Sequence, residues 1–183
     1  MNNNDQEVGK KEVERMELMP FLDAYSRTTG ESLRYCTASE NPDFLCNSKS
    51  GKIVGIELTR VMRDPRDKFW DRILLQQEKP EPYEAQERIY DLIERKEQAR
   101  VSRYKKNVDE TVLVLQLMDG TFESLAWILE GSFDDYTQYG FSEIWLADYS
   151  GLEAYGDIEL FGLYPAKWWG LHLRSYSDRK PYG

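Results

Sequence analysis

Residues Glu40–Val61 read ENPDFLCNSKSGKIVGIELTRV and predict two short strands joined by a turn. Asp43 lies at the start of the first strand, directly after Pro42. Glu57 lies inside the second strand, in an otherwise apolar run. Because a hairpin brings its strands together, we expect both carboxylates at one end of a sheet. Such a pair can bind a hard divalent cation.

The rest of the chain alternates between the two periodicities of secondary structure. Apolar residues recur at the helical spacing in some stretches and every second residue in others. We therefore predict an α/β fold with a central mixed β-sheet flanked by helices. The predicted elements are a helix over Lys11–Ser26, strands over Leu33–Thr37, Pro42–Cys46 and Lys52–Val61, a helix over Tyr83–Lys106, a strand over Thr111–Leu117, a short helix over Phe122–Leu129, and strands over Phe141–Ala147 and Asp157–Leu163.

The composition is that of a soluble globular protein, with 40% hydrophobic and 31% charged residues in 183. Residues 1–8 are polar and predict a disordered tail, and 9–183 predict a single domain. No apolar run is long enough to span a bilayer, so we expect no membrane association. The polar N-terminus and the presence of only two cysteines favour a cytoplasmic protein with reduced thiols.

Charge and histidine content exclude several classes of site. The single histidine, His172, argues against histidine-rich zinc sites and against the HNH nuclease arrangement. A net charge of -9 disfavours extensive contact with a phosphate backbone, which depends on Lys and Arg. A local basic patch is still compatible with that total.

The hairpin and its flanking elements together resemble a known superfamily. Pro42-Asp43 opens one strand, Glu57-Leu58-Thr59 lies in the next, and a long helix and a buried strand follow. This arrangement resembles the PD-(D/E)XK nucleases, which have the restriction-endonuclease-like fold. The resemblance covers roughly Glu12–Leu117. It implies a prokaryotic or phage nuclease-like domain that hydrolyses nucleic acid, DNA rather than RNA, and that could act as a homodimer.

The resemblance also implies roles for individual residues. Asp43 and Glu57, with the carbonyl of Leu58, would bind Mg²⁺ or Mn²⁺, as hard oxygen ligands do. The motif lysine is replaced by Thr59, whose hydroxyl can hold a water but carries no charge. Some members of the superfamily place this lysine on the following helix. Lys96 is the candidate here, because it shares a helical face with the predicted apolar residues of that helix.

Further residues are implied less directly. Arg100 and Arg103 continue the side of the helix that carries Lys96 and could contact phosphates. Gln86 and Tyr90 match the Q-x-x-x-Y element of one exonuclease-like branch. A further acid often completes the site, and the alternatives here are Glu12, Glu17 and Glu40.

Other interpretations of the same residues remain open. Asp43 could make only local hydrogen bonds, and Glu57 could form a structural salt bridge to Lys96 or Arg60. The chain would then be a nuclease-fold binding module without catalysis, or an acidic interaction protein or inhibitor that meets a basic partner. An active site requires Asp43, Glu57 and the Lys96 amine to converge.

Overall fold

A central sheet separates two helical layers in the computed structural model of the chain. The structure describes residues 3–61, 84–104, 107–118 and 136–169. Short 3₁₀ segments cover Tyr136–Gln138 and Ala166–Trp168. The helices and strands are α1 (Asn3–Thr29), β1 (Leu33–Ala38), β2 (Phe44–Ser48), β3 (Ile53–Arg60), α2 (Glu84–Arg103), β4 (Glu110–Leu117), β5 (Glu143–Asp148), α3 (Leu152–Tyr155) and β6 (Glu159–Tyr164).

The sheet has six strands, and their spatial order β1-β2-β3-β4-β5-β6 follows the chain. The first three strands pair antiparallel, β3, β4 and β5 pair parallel, and β6 returns antiparallel to β5. A parallel pair needs a crossover connection, and the segment that contains α2 connects β3 to β4. The predicted α/β class with a mixed sheet is therefore confirmed.

Each face of the sheet has its own hydrophobic core. Leu18, Phe21, Leu22 and Tyr25 recur at helical spacing on α1 and pack on one face. The facing strand residues include Val54, Ile56, Val112, Val114 and Trp145. On the other face, Ile89, Leu92 and Ile93 of α2 pack against Leu113, Leu115, Ile144 and Leu146.

Strand β3 differs from its neighbours on the face covered by α2. Side chains alternate along a strand, so Val54 and Ile56 point to α1 and the odd-numbered positions point to α2. Those positions are Gly55, Glu57 and Thr59. The α2 side of β3 therefore carries two buried polar residues where β4 carries leucines.

Several element boundaries differ from the sequence predictions. Helix α1 begins at Asn3, eight residues before the predicted start at Lys11. An established helix gains one hydrogen bond for each residue it adds, and it can extend into a polar segment in this way. Pro20 lies within the same helix and does not divide it. The predicted helix Phe122–Leu129 and His172 lie outside the described residues.

The first hairpin strand also starts later than predicted. Ser39 donates its amide to the Asp43 carbonyl at 2.7 Å, so Pro42 and Asp43 belong to the turn between β1 and β2. Strand β2 begins at Phe44.

Within the described ranges, no helix combines the length and the apolar character needed to cross a membrane.

Candidate functional site

Asp43 lies at the open end of the β2–β3 pair. Phe44 pairs with Ile56, so continuing the antiparallel register places Asp43 opposite Glu57. The Asp43 carboxylate accepts a hydrogen bond from the Leu58 amide at 2.9 Å. The turn thus fixes this carboxylate beside the β3 backbone, one residue beyond Glu57.

The carbonyl of Leu58 points toward the same side of β3. In an extended strand the N–H and C=O of one residue face the same neighbour, which is why hydrogen-bonded pairs exchange both bonds. Because the Leu58 amide donates to Asp43, the Leu58 carbonyl also faces the Asp43 side. A carboxylate oxygen and a main-chain oxygen are therefore directed to the same region.

Glu57 is buried beneath α2 and forms an ion pair with Lys96. The Lys96 Nζ atom lies 2.5 Å from Glu57 Oε1. The two side chains are only 16% and 8% exposed, respectively. Lys96 follows Leu92 and Ile93 by four and three residues, so it lies on the face that packs on the sheet. The structure thus brings Lys96 to Glu57 rather than to the outer surface of the helix.

Tyr104 is a third member of this cluster and had not been predicted. Its hydroxyl donates to Glu57 Oε2 at 2.5 Å, so both oxygens of Glu57 are bound. Burial, and then the charge of Glu57, raise the pKa of Tyr104 well above its usual value. Tyr104 directly follows Arg103, the last residue of α2, so the periodicity of that helix does not indicate where its side chain points.

The two carboxylates affect each other electrostatically. Burial and the nearby charge of Glu57 raise the pKa of Asp43 to about 7, and Glu14 adds to this effect. The Leu58 amide and the Lys96 ammonium act in the opposite direction. Two acids held together in this way repel each other when both are ionised, and a bound cation would relieve that repulsion.

The acid that acts on Asp43 from α1 is Glu14, which was not among the predicted alternatives. Glu14 is half-buried and lies one helical turn before Leu18. Glu17 instead pairs with Arg60 and accepts a hydrogen bond from Gln116 at 3.2 Å. Glu12 and Glu40 are both exposed.

The oxygen ligands at this site suit a hard cation that keeps most of its bound water better than a metal ion enclosed by protein ligands alone. Among the described residues, no group of three or more His, Cys, Asp or Glu side chains could hold a metal ion. Asp43, Glu57 and the Leu58 carbonyl provide oxygen only. Mg²⁺ commonly binds one or two carboxylates and retains several waters, whereas structural zinc requires four nitrogen or sulfur ligands. The residues present therefore fit Mg²⁺ or Mn²⁺.

Thr59 lies where the resemblance to the PD-(D/E)XK pattern places a lysine. It is buried at 4% exposure, and its Oγ1 atom has no hydrogen-bond partner among the residues that the structure describes. It follows Glu57 by two residues and so faces the same side of the sheet. A buried hydroxyl of this kind can hold a water molecule at the site.

The two arginines occupy different surroundings. Arg100 makes two hydrogen bonds of 2.7 Å to Glu97 and lies over the ring of Phe141. Arg103 is exposed in the last turn of α2. In this structure Arg100 is thus engaged by a carboxylate, while Arg103 faces solvent.

The Q-x-x-x-Y element does not join the cluster around Glu57. The ring of Tyr90 stacks on Tyr136 at 5.4 Å and packs against the core beneath α2. Gln86 lies in α2, and its side chain is outside the described part of the structure.

Glu143 is a half-buried carboxylate on the opposite face of the sheet. It accepts hydrogen bonds from Trp145 at 2.8 Å, Trp168 at 3.0 Å and Tyr25 at 3.2 Å. Burial raises the pKa of Glu143, and these neutral donors oppose that effect. Glu143 joins α1, β5 and the segment after β6, so a structural role accounts for it.

Comparison of the chain with protein-family models, with curated proteins and with solved structures found no match.

Proposed function

We propose that this protein is a metal-dependent phosphodiesterase that cleaves nucleic acid, DNA in preference to RNA, at the Asp43–Glu57 site. The observation that carries the proposal is the 2.5 Å contact between Lys96 Nζ and Glu57 Oε1. In the PD-(D/E)XK pattern the lysine stands at the position that Thr59 has here. Lys96, from α2, would take over its role. The order helix, three antiparallel strands, helix and parallel strand is also the order that this resemblance implies.

Asp43, Glu57 and the Leu58 carbonyl would hold Mg²⁺ or Mn²⁺. The ion, when bound, neutralises phosphate charge and makes a water more acidic. The Lys96 ammonium orients the attacking water by donating to it and stabilises negative charge that develops on the phosphate. Tyr104 positions the Glu57 carboxylate, and the Thr59 hydroxyl holds a water on the same face.

The remaining expectations follow from the same proposal. Arg103 would contact a phosphate directly, whereas Arg100 would first have to exchange Glu97 for the phosphate. The net charge of -9 favours a short contact with few phosphates. That the protein is a cytoplasmic prokaryotic or phage nuclease, and that it forms a homodimer, both stay predictions.

A cleavage assay tests the proposal. Single- and double-stranded DNA and RNA are incubated with the protein in Mg²⁺, in Mn²⁺ and in chelator. Wild type is compared with Asp43→Ala, Glu57→Ala and Lys96→Ala, and folding is checked by circular dichroism. Lys52→Met is the matched control, because Lys52 also pairs with a glutamate, Glu110, but at an exposed position on the sheet.

We expect cation-dependent cleavage that is lost in all three site variants and retained in Lys52→Met. Full activity of folded Glu57→Ala would place the site elsewhere. Absence of cleavage on every substrate would favour the alternative, a nuclease-fold binding module or an acidic interaction protein. The observation that favours this alternative is that Lys96 and Tyr104 already bind both oxygens of Glu57.

A further inference from the structure

We propose that Lys96 is an internal competitor for the cation of this site: its ammonium neutralises Glu57 in the metal-free protein, and cation binding releases it. The inference rests on the metal site of the proposed function, but it does not require cleavage. It assigns Lys96 two positions, one on Glu57 and one available to water or phosphate.

The contacts of Glu57 carry this inference. Oε1 receives the Lys96 ammonium and Oε2 receives the Tyr104 hydroxyl, both at 2.5 Å. Glu57 is 8% exposed, so water cannot replace these partners freely. A cation that binds Glu57 must therefore share an oxygen with one of these donors or displace it.

The two donors are not equivalent toward a dication. Tyr104 is a neutral donor, and its dipole opposes a nearby cation only weakly. Lys96 carries a full positive charge and is held at 16% exposure, where screening by solvent is limited. Repulsion thus acts mainly on Lys96, which has a long flexible stem and can move while Tyr104 keeps Glu57 in place.

Lys96 and the cation compete for a site that includes Asp43 as well as Glu57. The Lys96 charge acts on Asp43 as well as on Glu57, so the ammonium serves both carboxylates. Asp43 is fixed by the Leu58 amide and cannot follow Lys96 away from the site. Removing the Lys96 charge should therefore leave two preset carboxylates with a higher affinity for a divalent cation.

Calorimetric titration with Mn²⁺ and Mg²⁺ tests this on the full chain without nucleic acid. We expect Lys96→Met to bind the ion at least about tenfold more tightly than wild type. Lys52→Met, which removes the same charge from an exposed pair, should bind as wild type does. Asp43→Asn should abolish binding in either background. Equal or weaker binding by Lys96→Met would overturn the inference.

A second measurement on wild type applies if Lys96→Met does not fold. Lysine labelled with ¹³C at Cε is followed by NMR, and the Lys96 signal is the one absent from Lys96→Arg. Saturating Mg²⁺ should shift this signal, and an unchanged signal would contradict release of the ammonium.

The outcomes separate this inference from the proposed function. Tighter binding by Lys96→Met without cleavage by wild type supports the competition and rejects the nuclease. Cleavage with unchanged affinity rejects only the competition, and no binding by any variant rejects both.

Discussion

The ring of Pro42 lies against the backbone of Gly55, in the space that a side chain at position 55 would occupy. A Cβ built on Gly55 would overlap with Pro42 Cγ and come within 3.1 Å of Val108 Cγ1. Glycine in a strand often marks such a close approach. The contact holds the turn before β2 against β3, and so helps to place Asp43 beside Leu58.

Gly55→Ala should therefore lower both the stability of the protein and its cation affinity, although Gly55 is not itself a ligand. We expect a loss of about 1–3 kcal/mol in the free energy of unfolding, because the added methyl group overpacks a filled space. Cation affinity should fall as Pro42 moves Asp43 away from Leu58. Urea denaturation and metal titration measure the two effects. In Pro42→Ala/Gly55→Ala the ring is absent, so the stability loss should be clearly smaller than the sum of the single losses.

Asp43→Asn should stabilise the metal-free protein at alkaline pH. The pKa of Asp43 is raised to about 7 in the folded protein, so ionising this group costs folding stability. The stability that protonated Asp43 contributes is fully present below about pH 4, the usual pKa of the group in an unfolded chain. It is lost as the pH rises through about 7, the pKa in the folded protein. Asparagine keeps an acceptor for the Leu58 amide but never ionises.

Denaturation curves in chelator, from about pH 4 to pH 8, measure this effect. The advantage of Asp43→Asn over wild type should grow across that range by an amount on the order of a few kcal/mol. A difference that stays constant with pH would show that Asp43 ionises in the folded protein as readily as in the unfolded chain.

The Lys96–Glu57 pair should show strong energetic coupling. Each single variant, Lys96→Met or Glu57→Gln, leaves a buried charge without its partner and should lose about 3–5 kcal/mol. The double variant removes both charges and should recover much of that loss. The exposed Lys52–Glu110 pair should give a much smaller coupling energy in the same double-mutant cycle, because solvent screens it. Similar coupling in both pairs would contradict the burial argument.

Trp168→Phe should destabilise the protein more at alkaline than at acidic pH. The Trp168 indole donates to Glu143 at 3.0 Å and favours the ionised carboxylate. Its loss should raise the pKa of Glu143 further and cost about 1.5–3 kcal/mol when Glu143 is charged. Below that pKa the cost should be smaller. Trp168→Phe in a Glu143→Gln background is the control, and there the pH dependence should disappear.

The sequence predicts the sheet well because β3 and β4 carry long apolar runs that only a buried central strand explains. It also predicts the side of α2 that carries Lys96, since Leu92 and Ile93 fix the helix phase. Tyr104 was missed because it follows the last residue of α2, where periodicity no longer indicates direction.

The sequence left the further acid open among Glu12, Glu17 and Glu40 and did not indicate Glu14, for a geometric reason. Glu14 and Glu17 are three residues apart and lie on the same side of the helix. Which of them meets Asp43 depends on how far α1 is shifted along the sheet, and periodicity contains no such information. Arg100 illustrates a different limit, because its partner Glu97 lies one turn away and competes with any distant partner.

The contacts of α1 have a consequence for biosynthesis. Tyr25 bonds to Glu143, the Glu17 carbonyl to Tyr149, and Arg27 to Asp157, over 118 to 132 residues of chain. The polar partners of the helix are therefore synthesised more than 100 residues after it. Until those residues are synthesised, the apolar face of α1, with Leu18 and Phe21, must stay uncovered or provisionally packed, and chaperones and proteases can bind it.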